Sequence, residues 1–169
     1  VVEGAYSAYS NIIAVKEGNE ENDAIKALVA ALKSRKVADY ITENYAGAVV
    51  SVVAEPGDGF DAAIDYDKLS GTEITVAASP APHAEILEVA KEILAEKNIT
   101  LKVTEFTDYV QPNKVVDSGE IDANYFQHLP YLEDFNESNG THIANVLLVH
   151  AEPMGIYAGQ MEHLASIKK

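Results

Sequence analysis

The sequence predicts an α/β domain, a mixed sheet with helices on both faces. Three observations predict it. From Gly71 onward, short apolar runs alternate with amphipathic stretches in the order β-α-β-α-β-α-β. Gly, Pro, Asn and Ser clusters mark the changeovers. The chain has 169 residues, 47% of them hydrophobic and 23% charged, a globular composition. A chain of this length buries roughly 70% of its unfolded surface.

Each element has a local reason. Ser10 to Val15 is a short apolar run that reads as a buried strand, and Lys16-Glu17-Gly18-Asn19 turns the chain. Asn22 or Asp23 can cap a helix in which Ile25, Leu28, Val29 and Leu32 recur at helical spacing. Ser34 restarts a second helix with Val37, Ile41 and Tyr45 on one face, and Gly47 sits where a C-terminal cap belongs. Ala48 to Val53 is β-branched and reads as a strand. Residues 54–71 have the composition of an acidic linker, in which Phe60, Ile64, Tyr66 and Leu69 could still dock against the body. Thr72 to Ala78 is the next strand, and Pro82 lies near the first position of the helix that follows. That helix carries the stripe Ile86, Leu87, Ala90, Ile93 and Leu94. Next come a strand at 101–106, a short helix at 112–118 closed by Gly119, a short strand at 121–124 and a helix at 130–139. Strands at 143–150 and 154–158 end the pattern.

Composition excludes several function classes. Twelve basic against 27 acidic residues give a formal charge of −15, which disfavours nucleic acid and anionic membrane surfaces. Cysteine is absent, so disulfides, thiolate metal sites and a cysteine nucleophile are excluded. No apolar run approaches the roughly 18 residues of a membrane span. The first residue is Val1 rather than Met, so a processed or trimmed chain is expected, with any signal peptide or lipid anchor in the removed part.

Catalytic motifs are missing. There is no Gly-x-Ser-x-Gly elbow and no Gly-x-Gly-x-x-Gly or phosphate loop. Ser79 precedes His83 by four residues but nothing nearby is an obvious orienting acid for that histidine. His83, His128, His142, His150 and His163 are dispersed without the i, i+4 spacing of a zinc pair, so no metal or other cofactor is expected. His150 and Glu152 share a strand face, which is one pair and no more.

In open α/β sheets ligands bind beyond the carboxyl ends of the strands. Three segments fall there: Ser79 to His83, Thr107 to Asn113, and Asn124 to His128. Together they mix aromatic rings with amide, hydroxyl and imidazole groups, which suits a small amphipathic ligand. The candidate residues are Tyr109, Phe126, His128, His83, Asn124 and Tyr125. Each has a bland alternative. Tyr125 and Phe126 are adjacent on a strand, so one faces the core; His83 could cap a helix; Asn113 could be a turn residue.

These segments carry a resemblance. Residues 73–158 resemble the N-terminal part of the methionine-binding lipoproteins of bacterial ABC importers, the NlpA-type family. The matching stretches are Ser79-Pro80-Ala81-Pro82-His83-Ala84-Glu85-Ile86-Leu87 and Phe106-Thr107-Asp108-Tyr109-Val110-Gln111-Pro112-Asn113. They continue with Asp122-Ala123-Asn124-Tyr125-Phe126-Gln127-His128-Leu129-Pro130-Tyr131-Leu132 and His150-Ala151-Glu152-Pro153-Met154-Gly155-Ile156-Tyr157. Residues 5–53 resemble the family's C-terminal end, through Tyr9-Ser10-Asn11-Ile12-Ile13-Ala14-Val15-Lys16-Glu17-Gly18 and the helices and strand after it.

The resemblance implies one lobe of a type II periplasmic-binding-protein-like fold in circularly permuted order. Residues 1–53 and 72–169 would form one domain joined by the acidic linker 54–71, with most of the second lobe absent. A junction between tandem binding domains and an isolated lobe are the other readings of the same order. The family's function implies a non-catalytic, exported component that binds L-methionine or a similar amino acid and docks on an ABC permease, lipid-anchored in the parent protein. By motif, Tyr109, Phe126 and His128 resemble pocket residues, with His83 weaker and Asn124 and Tyr125 supporting the wall. The family's arginine for the ligand carboxylate belongs to the absent lobe, and the single Arg35 does not match it. Affinity in isolation is therefore expected to be weak or absent. The alternative is a protein-interaction module that docks on a permease, on a second lobe or on another copy of itself and no longer binds amino acid.

Overall fold

The computed structural model describes residues 8–153. Its strands are β1 (Asn11–Lys16), β2 (Val50–Ser51), β3 (Glu73–Ala78), β4 (Thr100–Glu105), β5 (Ala123–His128) and β6 (Ile143–Ala151). They form one sheet ordered β2-β6-β1-β5-β3-β4. β3 runs parallel to β4 and β5, whereas β1 is antiparallel to both β5 and β6. The sheet is therefore mixed, and one of its two central strands, β1, comes from the start of the chain.

The helices are α1 (Asp23–Leu32), α2 (Arg35–Tyr45), α3 (Tyr66–Leu69), α4 (Glu85–Ala95), α5 (Gln111–Asp117) and α6 (Leu129–Asn139). α1, α2 and α4 cover one face, where Ile25, Leu28, Leu32, Val37, Ile41, Leu87 and Leu94 pack on Ile13, Val15, Val76 and Tyr125. A smaller core on the other face joins Val116 of α5 and Leu132 of α6 to Ile12, Ala14 and Ile143. Alternating residues of β1 thus feed two cores, which is why the run Ile12 to Val15 is apolar throughout and wholly buried.

Both expected caps form. Asn22 Oδ1 accepts from the Ala24 amide at 2.9 Å, and Ser34 Oγ accepts from the Val37 amide at 3.1 Å. Ser34 is 1% exposed, so water cannot replace its bond. Ser34→Ala is expected to cost about 1–2 kcal/mol in urea denaturation; an unchanged midpoint would show that the cap contributes nothing.

Several boundaries differ from the sequence reading. Ala46 takes the left-handed conformation at the end of α2, with Gly47 also at positive φ. The run 48–53 is a strand only at Val50–Ser51. Residues 54–71 are held against the body. Gly57 exchanges backbone hydrogen bonds with Lys33 and Arg35, and Ile64 is in the large core. Phe60 and Tyr66 pack edge to face under Lys97. Gly59 (φ 100°) passes so close to α4 that a Cβ there would lie 2.8 Å from Ile93 Cγ2. Pro82 belongs to a kinked turn, Pro80–Ala84, and α4 starts only at Glu85. The strand expected at 121–124 instead spans Ala123–His128. Glu120 and Ile121 are drawn back onto the Val115 carbonyl, which ends α5 and delays the strand. The strand expected at 154–158 lies outside the described residues.

Candidate ligand-binding site

Four chain segments meet at one end of the sheet. Asn11 opens β1, directly between His128 at the end of β5 and His150 near the end of β6. β3 ends alongside, with Ala78 opposite Tyr125, and the chain then turns through His83. This is the carboxyl end of β3, β5 and β6, where open α/β sheets bind ligands.

β5 carries the candidates, and a bulge sorts them. Ile12 pairs with Gln127 and Ile13 with Tyr125, leaving Phe126 unopposed by β1. The extra residue resets the alternation. Asn124 and Gln127 therefore share the face of the smaller core, Tyr125 points into the large core, and Phe126 turns toward the loop before α5.

Tyr109, Phe126 and His128 come together in an aromatic group. Tyr109 and Phe126 are stacked, with centroids 6.2 Å apart and planes 15° apart. Phe126 meets Tyr131 edge to face at 6.0 Å, and His128 meets Tyr131 at 6.4 Å and Tyr9 at 5.0 Å. Phe126 is buried, whereas Tyr109 is 63% exposed and Tyr9 55% exposed, so the group opens outward. Its frame is well tied. Tyr131 Oη donates to the Tyr109 carbonyl at 2.7 Å. Asp108 Oδ1 accepts from the Val110 and Gln111 amides, and those two bonds hold its carboxyl below the usual carboxylate range. His128 caps α6, its Nδ1 accepting from the Tyr131 amide at 3.2 Å. That bond leaves Nε2 as the N–H of a neutral ring, free of the cap.

Asn124 serves a different purpose. Its Nδ2 donates to the Pro112 carbonyl (3.1 Å) and to Asn113 Oδ1 (2.8 Å). Gln127 Nε2 donates to Asn113 Oδ1 (2.7 Å) and Asn124 Oδ1 (3.0 Å), and Asn113 Nδ2 donates to Gln127 Oε1 (2.9 Å). All three amides are buried, and together they bolt α5 to β5 behind the aromatic group. Asn113 is thus a buried helix residue rather than a turn residue, and Gln127 was not singled out in the sequence.

His83 and Tyr125 lie on the opposite face of β5, in a second polar cluster. Tyr125 is fully buried and its hydroxyl bonds to His150 Nδ1; burial pushes that hydroxyl far above its ordinary pKa, so it stays protonated and donates. His150 Nε2 then faces Glu152 Oε1 at 3.2 Å as donor. Hydrogen bonding to His150 holds the Glu152 carboxyl below its ordinary range. His83 Nε2 lies 2.8 Å from Asn11 Oδ1, and Asn11 Nδ2 reaches Glu152 Oε1 at 3.5 Å. Burial, reinforced by His150, lowers the His83 pKa to about 3. Asn11, which the sequence reading passed over as part of a strand, joins both clusters through its position between two histidines. The chain spacing of the histidines concealed this convergence.

The fold is a mixed α/β sheet flanked by helices on both faces, like that of periplasmic-binding-protein structures. A phosphate-binding protein from Streptococcus pneumoniae TIGR4 superposes on 86% of this chain and 50% of its own, with a TM-score of 0.58 and 12% identity, a likeness of fold alone. The chain belongs to the NlpA lipoprotein family, whose model matches residues 1–53 and 74–169. The methionine-binding lipoprotein MetQ of Bacillus subtilis (strain 168) is 47% identical over 96 residues, covering 56% of this chain and 35% of that protein. A probable D-methionine-binding lipoprotein MetQ of Pasteurella multocida (strain Pm70) is 34% identical over 124 residues, covering 71% of this chain and 45% of that protein. The chain therefore spans between a third and a half of these relatives' lengths.

Proposed function

We propose that this chain is the substrate-binding lobe of an ABC importer component for methionine or a related amino acid, and that it is not catalytic. The observation that carries the reading is the stacked Tyr109–Phe126 pair beside His128 at the carboxyl end of the sheet. Two parallel rings offer apolar faces to a thioether, at about 0.3–1.5 kcal/mol per sulfur–aromatic contact. The His128 imidazole, oriented by its cap bond, offers an N–H to the ligand's polar end. Relatives named as methionine-binding lipoproteins support the ligand class; an extracytoplasmic place and an ABC permease as partner belong to the same proposal. No helix among the described residues is long and apolar enough to cross a membrane. The same reading takes 1–53 and 72–169 as one lobe in permuted order, supported by β1 lying between β5 and β6. Asn124, Tyr125 and His83 then hold the wall rather than touch the amino acid.

An open face predicts weak binding, about 1 mM or weaker, equivalent to roughly −4 kcal/mol. Calorimetry with L- and D-methionine, against aspartate and lysine, tests it. The expected result is saturable heat selective for methionine, lost in Phe126→Ala and reduced in Tyr109→Ala. Silence at about 10 mM ligand, ten times the expected constant, would overturn binding by this lobe alone. It would favour the second reading, suggested by the exposure of Tyr9 and Tyr109, in which the aromatic face packs on a second lobe, a permease or another copy.

A further inference from the structure

The polar cluster across β5 from the aromatic group offers donor atoms that the amino-acid site does not use. One donor atom each from His83, His150 and Glu152 lies within 4.8 Å of the other two. Both histidines are buried, His83 at 5% and His150 at 0% exposure. His83 Nε2 is engaged with Asn11, while His83 Nδ1 is buried and has no hydrogen-bond partner. Leaving a buried ring nitrogen without a partner is costly.

We propose that His83, His150 and Glu152 form a binding site for a divalent transition metal of the zinc class, separate from the amino-acid site. Two imidazoles and one carboxylate are the ligand chemistry of Zn²⁺ rather than of Ca²⁺ or Mg²⁺. Metal–ligand bonds of about 2.0–2.2 Å place the donors of a tetrahedron roughly 3.3–3.5 Å apart. His150 Nε2 and Glu152 Oε1 already stand 3.2 Å apart. The Glu152 side chain is 48% exposed, so it can swing to complete the set without disturbing the core. Metal binding through His150 Nε2 moves that ring's proton to Nδ1, and the Tyr125 hydroxyl beside it then turns from donor to acceptor, the outer partner of the metal-bound imidazole. A fourth position stays open to water. The formal charge of −15 raises the local concentration of cations. The ion would tie the turn after β3 to the end of β6.

The test uses the untagged, chelator-stripped chain. Titration with Zn²⁺ by calorimetry and with Co²⁺ by visible absorption is expected to give one saturable site with a tetrahedral cobalt spectrum, and no comparable heat with Ca²⁺ or Mg²⁺. Glu152→Gln is expected to weaken Zn²⁺ by more than about tenfold, and His83→Gln by at least as much. His142→Gln, at an exposed histidine elsewhere, should leave affinity unchanged. Circular dichroism checks that each variant folds; Glu152 is partly exposed, so that variant decides should His83→Gln unfold. Equal affinity for Ca²⁺ and Zn²⁺, no saturable site, or undiminished affinity in Glu152→Gln would each overturn the proposal.

Discussion

Tyr125→Ala is expected to remove about 3–5 kcal/mol of stability, the range for emptying an aromatic site in a packed core. Tyr125 is fully buried on the central strand β5, beneath the large core. Its ring meets His83 edge to face at 4.7 Å and His150 at 5.5 Å, so truncation removes the surface against which both imidazoles pack. Domains of this kind have about 5–15 kcal/mol in total, so the loss is a large fraction. Tyr125→Phe separates packing from hydrogen bonding. It keeps the ring but leaves His150 Nδ1 without its donor in a place closed to water, at about 1–3 kcal/mol. Urea denaturation of both variants measures the two contributions. A Phe variant as stable as the parent would mean that the hydroxyl adds nothing to the fold. An Ala variant losing less than about 1 kcal/mol would mean that the core there collapses freely.

How legible this was in the sequence depended on the range of the interaction. α1 and α2 were readable because their signals are local. Ile25, Leu28 and Leu32 recur at helical spacing, and Asn22 and Ser34 bond amides two and three residues on. The small, polar and acidic residues of 54–71 read as a linker whose apolar Phe60, Ile64, Tyr66 and Leu69 could dock, as they do, yet Gly57 and Gly59 also dock on α2 and α4 through contacts far along the chain. β5 shows the same limit at the site. Its residue types marked a ligand end, but the bulge at Phe126 is set by pairing with β1, more than a hundred positions earlier. Period-two alternation would place Asn124 beside Phe126; the bulge instead places it beside Gln127, in an amide network with Asn113. The second cluster was the least legible. His83 and Asn11 are 72 positions apart, and Asn11 and Glu152 are 141 apart. No spacing rule connects them; only the antiparallel placement of β1 between β5 and β6 does.

That cluster also makes stability depend on acid. The His83 ring is almost wholly buried, and its pKa falls from 6.5 to about 3, chiefly through desolvation. Above pH 6.5 the ring is neutral in both folded and unfolded chains, and the contribution is complete. Below it the unfolded chain takes up a proton that the folded chain refuses, so stability falls as pH drops from 6.5 toward 3. The slope approaches 1.4 kcal/mol per pH unit, or about 2 kcal/mol between pH 6.5 and 5. Glu152 acts with the same sign, because its lowered folded pKa means stability present above its unfolded value and lost as pH falls. Its side chain is about half exposed, so its share is the smaller one. Guanidinium denaturation at pH 7, 6 and 5, with chelator present, should show this decline. In His83→Gln the slope between pH 6.5 and 5 should flatten, since glutamine does not titrate. A parent and variant that lose stability in parallel would place the acid sensitivity on other groups and show that His83 is protonated as readily in the folded chain as in the unfolded one.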